Sequence, residues 1–123
     1  MQVTLLRSKL HRAAVTGADL HYVGSISIDT DIMKQAGMYA WEKVLVVDID
    51  NGSRLETYII PAEAGSGVMQ LNGAAARLVS VGDRIIVMAF AEVDAPPPAD
   101  WQPRVLVLDE NNKVVSVESE GKY

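Results

Sequence analysis

The chain has 123 residues, 49% of them hydrophobic, which suits one domain with a real core. A net charge of −5 argues against a nucleic-acid backbone as partner. The absence of cysteine excludes a disulfide framework, a Cys-based zinc site and a thiol nucleophile, and two histidines, His11 and His21, make a His-rich metal site unexpected.

Gln2 to Leu6 reads as a short strand leading into Arg7 to Val15. The first ten residues carry polar groups where a signal peptide would be apolar, and no stretch reaches about 18 consecutive apolar residues, so neither export nor membrane insertion is expected. Thr16 to Asp19 reads as a turn. His21 to Asp29 then alternates: Tyr22, Gly24, Ile26 and Ile28 on one face, His21, Val23, Ser25 and Ser27 on the other. That period of two predicts a strand. A glycine inside such a pattern marks a bulge or a close backbone approach. Gly24 precedes Ser25 and can take backbone angles that bring its carbonyl towards the serine hydroxyl.

Asp29, Thr30 and Asp31 offer helix caps, so a short helix is predicted from Thr30 to Ala36, ended by Gly37. Lys43 to Asp50 and Arg54 to Pro61 read as strands joined by a two-residue hairpin at Asn51-Gly52. Val68 to Leu71 is a brief strand, Asn72-Gly73 a turn, and Ala74 to Leu78 a helical turn. Arg84 to Glu92 reads as the longest strand. Three prolines, Pro96 to Pro98, predict a stiff linker. Arg104 to Leu108 and Val114 to Val117 read as a last hairpin, with residues 118–123 as a flexible tail. Short strands and tight turns of this kind suit a small closed β-barrel.

Several short words stand in fixed order along the chain: Lys9-Leu10-His11-Arg12, Ala18-Asp19-Leu20-His21-Tyr22, Gly24-Ser25 with Ile28-Asp29, Asn51-Gly52, Glu56-Thr57-Tyr58, and Asn72-Gly73-Ala74-Ala75-Ala76. From Met1 to about Val117 the chain resembles the pyruvoyl-dependent aspartate 1-decarboxylases. The resemblance implies a mainly β fold, a six-stranded double-psi β-barrel with short helices over residues 1–117, assembled as a homotetramer. It implies autocatalytic cleavage at Gly24-Ser25, giving residues 1–24 and 25–123, with or without a maturation helper protein. Ser25 would become a covalent pyruvoyl group that forms a Schiff base with L-aspartate, without metal or pyridoxal phosphate. The product would be β-alanine, for pantothenate and coenzyme A synthesis in the cytoplasm.

By the same resemblance Thr57 serves self-processing, and Tyr58 donates a proton to the substrate carbon. Lys9, Arg54, Thr57, Asn72, Gly73, Ala74 and Ala75 bind substrate, and His11 supports the site. An arginine fork suits a carboxylate. In an ideal strand Arg54, Glu56 and Tyr58 share a face and Thr57 opposes them, so a bulge, strong twist or subunit interface is expected there. Apart from the resemblance, the residues also fit a small β-barrel that binds a ligand or partner without covalent chemistry.

Overall fold

The structure is a computed structural model that describes residues 1–118. Nine strands form one sheet: β1 (Gln2–Ala14), β2 (Gly17–Asp19), β3 (Ser25–Asp29), β4 (Lys43–Asp48), β5 (Arg54–Ala62), β6 (Met69–Asn72), β7 (Arg84–Asp94), β8 (Arg104–Leu108) and β9 (Val114–Glu118). Their order is β2-β6-β3-β5-β4-β7-β1-β8-β9. The fold is mainly β, as expected, but two expectations are corrected. The strand count is nine rather than six, and among the described residues the ladder runs between two ends, β2 and β9, rather than closing on itself.

Alternation explains the strands. In β7, Ile85, Val87 and Ala89 point inward and are fully buried. They join Leu10 from β1, Ile26 and Ile28 from β3, Ile59 from β5, Met69 and Leu71 from β6, and Leu106 from β8 in one aliphatic core. β1 is the longest strand, not β7, because it continues through two register shifts, at Leu6/Ser8 and His11/Ala13. Arg12, within the second shift, has φ +65°. Such irregularities let a strand bend without ending.

The helix α1 (Thr30–Ala36) forms where predicted. Asp29 caps it by accepting the Asp31 N–H, and Gly37 closes it at φ 72°, a left-handed cap that glycine takes without penalty. Ile32, Met33 and Ala36 anchor it to the core. No helix among the described residues is long and apolar enough to cross a membrane.

Other boundaries moved. The predicted turn at Thr16 to Asp19 is largely β2, recruited by parallel pairing with β6. Only the second half of the predicted His21 to Asp29 strand forms; His21 to Gly24 form an irregular connection of turn and bend residues around Val23, with Tyr22 and Val23 exposed. The β4–β5 connection spans Ile49 to Ser53 instead of two residues, because Asp48 Oδ1 accepts the Asp50 and Asn51 N–H groups and ends the strand early. Glu118 lies in β9, and residues 119–123 of the expected tail lie outside the described residues.

Candidate functional site

Ser25 opens β3. Its side chain is fully buried, while Gly24 before it is exposed. Antiparallel pairing sets Ser25 opposite Asn72 and Ser27 opposite Gln70. With a side-chain period of two, these four polar side chains meet on one face of the β3–β6 pair. The Asn72 amide donates from Nδ2 to Ser25 Oγ at 2.8 Å and to Ser27 Oγ at 3.0 Å. Gln70 Nε2 donates to Asn72 Oδ1 at 2.8 Å. Ser25 Oγ reaches the Val23 carbonyl at 3.5 Å, a long contact.

Gly73 follows Asn72 with φ 69° and begins the 3₁₀ helix Gly73–Leu78. A Cβ on Gly73 would lie 2.8 Å from Gly24 Cα, 2.9 Å from Gly24 N and 3.2 Å from the Tyr22 carbonyl oxygen. The close approach expected of Gly24 is therefore present, but the left-handed residue is Gly73. Gly24 is not among the positive-φ residues. Ala75 is half-buried and Ala74 exposed, both in the 3₁₀ turn beside this contact.

Parallel pairing of β3 with β5 sets Ile26 opposite Ile59. Tyr58 precedes Ile59 as Ser25 precedes Ile26, so Tyr58 sits at the level of Ser25, with Thr57 one residue earlier. The Tyr58 ring stacks on Trp41 at 5.7 Å between centroids and 21° between planes. The β4–β5 register runs unbroken from Lys43↔Tyr58 to Val47↔Arg54, so of the bulge, strong twist or subunit interface expected near Thr57, a bulge is absent from this pair.

The ladder does not bring the two predicted cations beside Ser25. Arg54 is exposed at the opposite end of the β4–β5 register. Lys9 lies on β1, reached from β3 only through β5, β4 and β7. Burial lowers the Lys9 pKa. Burial also lowers that of His11, helped by the charges of Lys9, Arg12 and Arg84. A cleft of about 460 Å³ is lined by Lys43, Glu56, Phe90 and Glu92 among others and not by Ser25.

Three neighbours were missed in the sequence: Gln70, Ser27 and Trp41. The first two carried a signal, since each lies two residues from Asn72 or Ser25 and so shares its strand face. Trp41 carried none, because its contact with Tyr58 depends on the loop before β4.

The family model described as aspartate decarboxylase matches residues 1–115. An aspartate 1-decarboxylase of Moorella thermoacetica is 56% identical, over 92% of this chain and 88% of that protein. That of Carboxydothermus hydrogenoformans is 50% identical over 95% and 92%. That of Caldicellulosiruptor bescii is 50% identical over 100% and 96%. Among solved structures, the computationally designed msDPBB_sym2 protein is similar at 17% identity and a TM-score of 0.45, over 71% of this chain and 99% of that one.

Proposed function

The chain belongs to the aspartate decarboxylase family, and from that premise we propose that it converts L-aspartate to β-alanine and CO2 after cutting itself between Gly24 and Ser25. The observation that carries this reading is the buried Ser25 hydroxyl, held by the Asn72 amide at 2.8 Å and directly following the Gly24 carbonyl.

Self-processing needs only the chain and one water. Ser25 Oγ attacks the Gly24 carbonyl carbon, the Gly24–Ser25 amide bond breaks, and an ester forms. Loss of the Ser25 Cα proton expels the ester oxygen, so Gly24 leaves as a carboxylate and residue 25 becomes dehydroalanine. Its imine tautomer takes up water and releases ammonia, leaving a pyruvoyl group at the head of residues 25–123. The first step places charge on the former carbonyl oxygen, where Thr57 is the proposed donor.

The residues present fit such a group. Gly73, lacking a Cβ, lets the Gly24 backbone pack directly against it, and Asn72 keeps a donor on the atom that reacts. A pyruvoyl ketone there supplies a sink for the electron pair that departing CO2 leaves behind. The chain supplies the rest. Arg54 and Lys9 hold the two substrate carboxylates, and Gly73, Ala74 and Ala75 let the substrate approach the backbone. Tyr58 gives a proton to the substrate carbon.

Strand pairing alone does not join Lys9 and Arg54 to Ser25, and the reading includes completion of the site by a homotetramer. β-Alanine supply for pantothenate and coenzyme A in the cytoplasm is part of the same proposal. Intact-mass measurement tests it: purified protein should resolve into residues 1–24 and 25–123, the latter beginning with a pyruvoyl group. A chain that stays whole after prolonged warming, or Ser25→Ala protein that still releases CO2 from aspartate, overturns it.

A further inference from the structure

We propose that Gln70 is a positioning residue for self-processing, which decides whether Ser25 receives or gives a hydrogen bond. The inference rests on the reading above. An asparagine amide has a donor end and an acceptor end of nearly equal shape. Flipping both the Asn72 and Gln70 amides would give a second, equally complete network. In that network Asn72 Oδ1 would face the two serine hydroxyls, and Gln70 Oε1 would accept from Asn72 Nδ2. The choice is made at residue 70.

In the structure Gln70 donates to Asn72 Oδ1 at 2.8 Å, so both Asn72 amide hydrogens are turned to Ser25 and Ser27. The Gln70 amide is itself confined. It packs against Gly17, where a Cβ would come within 2.5 Å of Oε1. Gly17 and Gln70 are register partners in the β2–β6 pair. Ser27 completes the device by taking the second hydrogen, so no Asn72 donor is left over in a buried place.

The polarity matters to the chemistry. A donor on Ser25 Oγ favours the form that has lost its proton, which is the attacking form. An amide oxygen in the same place would hold the proton on. The device needs no ionisable group, and it uses two residues, Gln70 and Ser27, outside the expected substrate contacts.

Two measurements test it. In a Ser25→Ala background, which cannot cleave, NMR should show Asn72 side-chain amide protons close to the Ser27 β-protons. Adding Gln70→Glu, which at neutral pH only accepts, should move those contacts to the γ-protons of residue 70. In the Ser25 chain, Gln70→Glu should slow cleavage about ten-fold or more. Gln70→Lys, which only donates, should stay within about three-fold, with neutral Gln70→Met between them. Melting temperatures of the Ser25→Ala versions separate this ordering from simple loss of stability.

Unmoved NMR contacts in Gln70→Glu, cleavage of that variant at the parent rate, or rates that follow melting temperature would each overturn the role of Gln70. A parent chain that never cleaves overturns the proposed function, and this role with it. A cleaving parent with an indifferent Gln70→Glu overturns the role alone.

Discussion

Gly73 presses on Gly24 so closely that a single added methyl group would lie 2.8 Å from the Gly24 Cα. The two residues are far apart in sequence, and the β3–β6 pair joins them just beyond its Ser25↔Asn72 rung. The Gly24–Ser25 bond is therefore braced by a backbone on which no side chain can grow.

Gly73→Ala should be harmful twice over. Alanine at φ 69° costs about 1–2 kcal/mol, and the clash with Gly24 adds a similar amount. Urea unfolding in the Ser25→Ala background should show a loss of about 2–4 kcal/mol. In the Ser25 chain, the displaced Gly24 should cleave at least about ten-fold more slowly, since roughly an ångström of misplacement is costly in reactions of this kind. Wild-type stability and cleavage in Gly73→Ala would remove the brace from the account.

Tyr58→Phe separates self-processing from turnover. Phenylalanine keeps the ring stacked on Trp41, so the fold and the cleavage at Ser25 should survive. Loss of the hydroxyl removes the proposed proton donor, and kcat should fall about 100-fold or more. Fragment analysis beside a CO2-release assay reads both. Normal turnover with full cleavage would move the proton-donor role to another group.

Asp29 ties the strand that carries Ser25 to the loop before β6. Its carboxylate accepts the N–H groups of Asp31, Gly65 and Gly67 at 2.8–3.0 Å. Burial pushes its pKa up, but these backbone donors, with that of Ile32, outweigh burial and hold it below the usual value. The sign follows: the folded state prefers the ionised group, so its contribution is present above pH 4 or so and is lost as pH falls through the lowered folded value. Asp29→Ala should cost about 2–3 kcal/mol at neutral pH and less in acid. Equal losses at pH 7 and pH 3 in urea titrations would contradict the assignment.

Local physics made much of this legible in the sequence. The helix Thr30–Ala36 formed within its predicted bounds because Asp29 and Gly37 specify both ends through contacts a few residues long. The strands β4 to β9 were marked by aliphatic runs between turn residues. What could not be read were partners across the sheet. Gly17–Asp19 looks like a turn until β6 pairs with it. Asn72 was visible as a site residue, but its bonds to Ser25 and Ser27 follow from the register of β3 against β6, which no local pattern sets. That Lys9 on β1 is no ladder neighbour of Ser25 on β3 is likewise a matter of strand order.

Asp48 should make the protein less stable as pH rises. It ends β4 at 1% exposure, with Oδ1 accepting from Asp50 and Asn51 N–H, while Oδ2 is buried with no donor facing it. Carboxylate oxygens of Asp48, Asp50 and Asp83 lie within 4.8 Å of one another. Burial, then the side chain of Asp83, raises the Asp48 pKa to about 6, against the pull of the two backbone donors. A proton on Oδ2 supplies the missing donor towards Asp83. The folded state thus binds this proton more tightly than the unfolded chain, and its stabilisation, complete below about pH 4, is lost as pH rises through 6. Asp48→Asn should abolish that dependence, because Oδ1 still accepts from the backbone and Nδ2 donates to Asp83 without a proton from solution. At pH 8 the variant should be more stable than the parent by about 1–2 kcal/mol, with the difference shrinking towards zero at pH 5. Both proteins should carry Ser25→Ala so that cleavage does not enter, and chemical unfolding at the two pH values measures the gap. A gap of the same size at both would mean that Asp48 is ionised throughout and that the empty side of its carboxylate is met in another way.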